Sequence, residues 1–336
     1  MVRLRLHAQW SSNTDEVVSA PFDTRAIVRS PATRVAAALI VILWLQSLAL
    51  PARAWDSRTH RLITRLALAA MPPSEFKTFL ERDEKRLERY SVEPDSKLKK
   101  RYGEAEKRRH YIDVDFYDSD DPFSQLDRSL ADTEARFGAV NVERWGTLPW
   151  TIDEHASRLG RQLSGGNSDS RDCAALLKLA GYLSHYVGDS TQPLHATSHF
   201  DGFAGDRGVH HRIEDATDHE VDRLETLARP TPEVRKIDSV WGAVIAELRH
   251  SHALVMPLIE GDRAARAQRY GGFSAYEREL MRREGPMIAG QISRAAALLA
   301  SVWLYDWERA GRPAVCQASR STRHAVHRAR FLGRLL

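Results

Sequence analysis

The stretch Cys173-Ala-Ala-Leu-Leu-Lys-Leu-Ala-Gly-Tyr-Leu-Ser-His185-Tyr-Val-Gly-Asp189-Ser-Thr-Gln-Pro193-Leu-His195 decides how this chain is read. Leu176, Leu177, Leu179 and Leu183 form an apolar face at helical spacing, which predicts a helix over 170–190. Pro193 interrupts it, because proline has no amide hydrogen to donate and clashes with the preceding turn. His185 and Asp189 stand four residues apart, so their side chains leave the same face. An imidazole and a carboxylate at that spacing can reach one metal ion; in isolation such a pair is more often simply solvated. On an otherwise apolar helix, polar groups on the buried side need a compensating partner. His195, past the proline, can turn back toward the same place.

Outward from this helix the pattern stays helical. Residues 57–71, with Ser57 as N-cap and Ile63, Leu66 and Leu68 on one face, predict an amphipathic helix ended by Pro72-Pro73. Further helices are expected at 74–91, 121–136, 150–164, 210–227, 232–258, 272–282 and 286–309. The last carries Ile288, Ile292, Ala295, Leu299, Val302 and Trp303 at core spacing. The polar stretch 92–120 reads as loop, with an extended run from His110 to Tyr117. Residues 196–209, rich in Gly and Asp, read as another loop. Strand-forming runs are too few for a sheet, so the fold class is all-α, a multi-helix bundle.

The two ends differ from the middle. Residues 1–54 hold six Arg against Asp15, Glu16 and Asp23, and residues 312–336 hold six Arg and no acid. The net charge of +4 therefore belongs to the ends, and the segment 55–311 is net acidic. The apolar run from Val35 to Leu45 follows Arg29 and Arg34 and precedes Ala52-Arg53-Ala54, the pattern of a cleaved export signal. That reading expects a periplasmic or extracellular protein whose mature chain begins at Trp55. Its catalytic domain would span 55–311, followed by a disordered basic tail over 312–336 that can touch anionic surfaces. No obligate protein partner is expected. Cys173 and Cys316 cannot build a cysteine zinc site. Cys173 lies in an apolar pattern and reads as a buried thiol, with one bridge to Cys316 as the lesser alternative in an oxidising compartment.

Other polar residues repeat the spacing. His210 and Glu214 are four apart, and so are His211 and Asp215, one residue out of phase; only one pair can face inward. The alternative is a charged helix start, where acids meet the positive end of the helix dipole. Trp55 precedes His60 by five positions, and Asp95 and His110 lie in the polar stretch; each alone reads as ordinary surface.

Taken together, these residues resemble the superfamily of zinc-dependent phospholipases C and single-strand-specific zinc nucleases. The carriers are His185/Asp189, Pro193/His195 and Gly208/His210/Glu214, with Trp55, His60, Asp95 and His110 in order upstream. The C-terminal run Trp303-Leu-Tyr-Asp-Trp-Glu-Arg-Ala-Gly is similar to the family's last helix. The resemblance implies an all-α bundle around three zinc ions. One would be held by Asp95, His110, His185 and Asp189. A second would be held by His60, Asp189 and the free amine and carbonyl of Trp55, and a third by His195, His210 and Glu214. It implies hydrolysis of phosphodiesters, with Asp95 and Asp189 as catalytic candidates and Asp95 either ligand or general base. Substrate stays divided. Glu214 and Gly-Val-His favour the phospholipase branch, and the short Trp55–His60 gap favours the nuclease branch. Phe200 and Phe203 suit stacked bases, acyl chains or a plain cover. A non-catalytic bundle stapled by structural zinc is the remaining reading.

Overall fold

The computed structural model describes residues 55, 57–165, 172–229, 233–267 and 272–316, all within one compact unit, Ala52–Leu336. The expected export signal and the tail from 317 onward lie outside the described residues. Regular structure among the described residues is entirely helical.

Helix α1 (Ser57–Ala70) buries Leu62, Ile63, Leu66 and Ala67, the face its spacing predicts. Its start is capped from a distance: the backbone amides of Arg58 and Thr59 donate to Asp218 Oδ1 at 2.8 and 3.0 Å. Those amides have no partner within the helix, so the remote carboxylate satisfies them and fixes where α1 begins. The helix expected at 74–91 breaks into α2 (Glu75–Arg82) and α3 (Glu84–Tyr90), because Asp83, at φ −124°, leaves helical geometry.

The stretch 92–120 departs from the expected loop. Pro94–Leu98 forms a π-helical turn, followed by α4 (Lys99–Tyr102) and α5 (Glu104–Lys107). The His110–Tyr117 run makes no strand. Ile112 N donates to the His195 carbonyl at 2.9 Å, and Val114–Phe116 then close a 3₁₀ turn. Its alternation reflects burial of Ile112, Val114 and Tyr117 against helices rather than sheet pairing. The helix expected at 121–136 becomes a 3₁₀ turn, Pro122–Gln125, and α6 (Leu130–Phe137), followed by α7 (Ala139–Arg144).

The centre is built from α8 (Leu148–Ser164), α9 (Cys173–Ser190) and the final helix. A 3₁₀ turn at Pro193–His195 follows α9. Then come α10 (Val209–His219), α11 (Val221–Ala228), α12 (Val240–Ala253) and α13 (Val255–Arg266). Helix α14 (Gly272–Arg309) runs unbroken for 38 residues through Pro286, where a break was expected. An internal proline costs on the order of 3 kcal/mol. Leu280, Met281, Ile288 and Ile292, all buried, flank it on both sides; at about 1.5–3 kcal/mol for each such side chain, continuity outweighs the kink. Helix α14 packs on α1, α8, α9, α11 and α13, and α9 packs on α3 and α8 as well. Enclosed in this way, α9 buries even its polar last turns: His185, Asp189 and Ser190 are fully buried.

Cys173 is not a free thiol. It is bonded to Cys316, 143 residues away, with Cα atoms 5.9 Å apart. The start of the tail is therefore pinned: Val315 and Cys316 are buried, Trp307 Nε1 donates to the Pro313 carbonyl, and an Arg82 guanidinium donates to the Cys316 carbonyl. Long-range covalent closure has no local sequence signature, which is why a helix-pattern reading placed Cys173 in the core alone.

Two outcomes are expected. Cys173→Ser and Cys316→Ser should each lower unfolding free energy in urea by about 2–4 kcal/mol. The double variant should match the single ones, and additive losses would contradict the bridge. Separately, burial, reinforced by Asp153, pushes the Asp306 carboxyl up to about 8. An acid whose folded pKa is raised contributes stability below its unfolded value and loses it as pH climbs through the folded one. Stability should therefore decline from about pH 4 toward pH 8, and Asp306→Asn should flatten that decline in urea titrations at pH 5, 7 and 8. An unchanged slope would show that Asp306 stays ionised.

Candidate metal centre

The last two turns of α9 carry the first ligand set. His185 Nδ1 donates to the Ser91 carbonyl at 2.8 Å, which leaves its Nε2 as a lone pair. That Nε2 lies 3.0 Å from His110 Nδ1, 3.4 Å from Asp189 Oδ2 and 3.6 Å from Asp95 Oδ1. Asp95 reaches the cluster from the π-helical turn, and His110 from the segment that follows α5.

The second set shares Asp189. His60, from α1, presents Nε2 3.4 Å from Asp189 Oδ1, while Oδ2 lies 2.9 Å from His110 Nδ1. The carboxylate thus turns one oxygen to each set. Gly188 makes room for this, since a Cβ there would stand 2.9 Å from His60 Nδ1. Trp55 is fully buried, and its indole donates to the Gly188 carbonyl at 3.0 Å, which places residue 55 beside Asp189.

The third set comes from the loop and helix after Pro193. His195 Nδ1 donates to the His110 carbonyl at 2.6 Å, so its Nε2 is again the free lone pair. This Nε2 lies 3.1 Å from His210 Nε2 and 3.6 Å from Glu214 Oε1, and His210 Nε2 is 2.6 Å from the same oxygen. Gly208, at φ +85°, turns the chain into α10, a conformation that a side chain would strain. The inward pair is therefore His210/Glu214; His211 is exposed and meets Asp215 at the surface.

The polar atoms fit a metal. Of the atoms that face the ligand sets, His60 Nε2 and Asp189 Oδ1, 3.4 Å apart, are buried with no hydrogen-bond partner among the described residues. Orphans of this kind are rare in folded proteins, and a cation between them satisfies both. Burial lowers the pKa of His60, His110 and His195, keeping the imidazoles neutral as ligands must be. Burial, then repulsion from Asp95, pushes Asp189 well above the carboxylate range, so its charge needs a positive neighbour. Burial also opposes ionisation of Asp95 and Glu214. At Asp95 the His185 imidazole and Lys99 outweigh it, and at Glu214 the His210 and His195 imidazoles do. The donor set of imidazoles and carboxylates suits Zn²⁺.

Some neighbours had no readable signal. Lys99, one helical turn after Asp95, pairs with its Oδ1. Glu106 is buried, accepts from the Tyr186 hydroxyl and faces His110 Nε2 at 3.5 Å. A cleft of about 180 Å³ opens onto His110, His195 and His210, walled by Lys99, Tyr111, Asp113, Leu194 and Phe200. Burial, then Asp115, pushes the Asp113 carboxyl up to about 7. Phe200 is 46% exposed and edges the His210 ring, whereas Phe203 stacks on His199.

No protein-family profile and no curated protein matches the chain. Solved structures similar to this chain include two clostridial toxins. The alpha toxin of Clostridium absonum matches over 79% of this chain and 67% of its own, at 15% identity and a TM-score of 0.45. The alpha toxin of an avian strain of Clostridium perfringens matches over 76% and 65%, at 13% identity and 0.44. The chain spans about two thirds of the length of these toxins.

If Asp189 joins the first two sets, Asp189→Asn should lower the zinc content of the purified mature protein by more than one ion per chain. Elemental analysis showing loss of one ion or none would separate the sets.

Proposed function

We propose that this chain is an exported, zinc-dependent hydrolase of phosphodiesters with phospholipase-C-like specificity. The observation that carries the reading is the pair of adjoining clusters His60/His185/Asp189 and Asp95/His110/His185, between which Asp189 turns one oxygen toward His60 and the other toward His110, together with the cluster His195/His210/Glu214. Structural zinc sites are closed, four-coordinate and self-contained, whereas this cluster shares a carboxylate and borders an open cleft. Zinc ions held there would polarise a phosphoryl oxygen, generate a nucleophile from water and stabilise the leaving oxygen.

The chain's own residues complete the site. Asp95, held ionised, can accept a proton at Oδ1, the oxygen that Lys99 orients. The Lys99 ammonium also lines the cleft and offers a positive charge to a phosphate. Leu194 and Phe200 keep water from one wall. Tyr111 and Phe200 line the cleft together with Asp113 and with Glu104, which Lys107 pairs, aromatic and acidic groups of the kind that receive a quaternary ammonium headgroup. The Cys173–Cys316 bridge supports an oxidising compartment and hence export. On this reading the Trp55 amine, freed by cleavage after Ala54, joins His60 and Asp189.

The test is a panel on correctly processed protein. Hydrolysis of phosphatidylcholine should exceed that of single-stranded DNA and RNA and should stop with a chelator. Preference for nucleic acid would move the substrate to the nuclease branch, and no chelator-sensitive turnover on any of them would leave structural zinc. A form retaining Ala54 converts the amine to an amide. It should lose more than the roughly 10–100-fold typical of disturbing a ligand's outer neighbours.

A further inference from the structure

The wall that separates α3 from His110 has two sides. Lys99, Lys107, His110 and Tyr111 face the metal-centre cleft. Between them, Leu98, Tyr102, Ala105, Glu106 and Arg109 recur at helical spacing and face a second concavity of about 520 Å³. No residue lines both. The far side of this second space is α8, through His155 and Arg158, and α9, through Lys178, Tyr182 and Tyr186.

The lining combines cations with aromatic faces. Arg109, Arg158 and Lys178 border it, against one lining carboxylate, Glu106. Glu106 is already engaged by the Tyr186 hydroxyl. Glu154, outside the lining, pairs with Arg109 at 3.1 Å and Arg158 at 3.6 Å, so a surplus positive charge remains. Lys178 lies over the Tyr182 ring at 5.3 Å, and Arg109 lies over the Tyr186 ring at 5.7 Å. Arg109 Nε is buried with no hydrogen-bond partner among the described residues, and its ion-pair partner Glu106 Oε2 stands 4.0 Å away. Tyr102 on the same lining is 52% exposed, with the Arg101 guanidinium over its ring at 5.2 Å. Flat rings accept any nucleobase by stacking, and guanidinium and ammonium groups receive its phosphate.

From this arrangement we propose that the concavity is an accessory site for a nucleotide, with the base against Tyr102 and Tyr182 and the phosphate among Arg109, Arg158 and Lys178. The site is independent of which phosphodiester the metal centre hydrolyses. Its floor backs directly onto that centre, because Glu106 stands between Tyr186 and His110. The ligand is a free mononucleotide or one nucleotide of a single strand, which share this chemistry.

Calorimetric titration of zinc-loaded mature protein tests the proposal, with 5′-AMP, inorganic phosphate and a short oligodeoxyadenylate as probes. AMP should bind two classes of site, one at the metals and one here, and phosphate only the first. Lys178→Glu and Arg158→Glu, both at exposed positions, should weaken the second class at least tenfold while zinc content and hydrolysis of a chromogenic phosphodiester stay unchanged. Tyr102→Ala should weaken AMP at that class and leave phosphate binding alone. Oligonucleotide binding tighter than AMP at the second class would identify the strand as the source, and weaker binding the free nucleotide. AMP binding in the wild type that neither charge reversal weakens, or no AMP binding at all, would overturn the proposal.

Discussion

The structure depends on a carboxylate buried where an isolated charge cannot be stable. Asp189 is fully inaccessible, at the end of a helix that is otherwise an apolar core element. Moving such a group out of water costs several kcal/mol unless it is paired. The neighbouring imidazoles do not supply the pairing, because burial keeps those of His60 and His110 neutral. A divalent cation on each side of the carboxylate would resolve the conflict, and the division of its two oxygens between His60 and His110 is compatible with that arrangement.

Around that residue the fold does little local chemistry and much orientation. Three ring positions are fixed by backbone carbonyls or remote caps rather than by neighbours in sequence. Ser91 sets His185, the carbonyl of His110 sets His195, and Asp218 sets the start of the helix that carries His60. The first two bonds leave one specific nitrogen of His185 and of His195 facing inward, so their tautomer and direction are decided before any ion arrives. Asp218 lies one turn beyond Glu214 on α10. The helix that contributes to one ligand set thus also positions another.

This explains what could be read from the sequence. Pairs such as His185/Asp189 and His210/Glu214 are legible because helical periodicity turns spacing into a shared face. The all-α class is legible for the same reason. The phase choice between His210 and His211 was not, since both satisfy the period; the turn at Gly208 and the burial of Glu214 decide it. Asp95 and His110 come from irregular backbone, where spacing carries no geometry. Only the resemblance to a known constellation joined them to α9, and the π-helical turn that aims Asp95 has no propensity signature. Pro286 and Cys173 misled in opposite directions. A local rule ended a helix that tertiary packing sustains, and a local pattern hid a bridge to a residue 143 positions away.

The same long-range character links metal binding to stability. The ligand atoms come from α1, the π turn, the segment after α5, α9, the 3₁₀ turn and α10, so an ion joining them ties together most of the chain between His60 and Glu214. A site absent from the unfolded chain returns its binding free energy as folding free energy. The Cys173–Cys316 bridge acts on the complementary part: it holds the start of α9 to the end of the structure that α14 leads into, while ions in the ligand sets would hold the other end of α9. Helix α9 is thus fastened at both ends, covalently at its first residue and through its buried polar cluster at its last turn. Its apolar middle packs between α3, α8 and α14. That double fastening is what allows a helix so hydrophobic to finish in charge, because neither end can withdraw from the core to rehydrate Asp189 without breaking a bond that spans the fold.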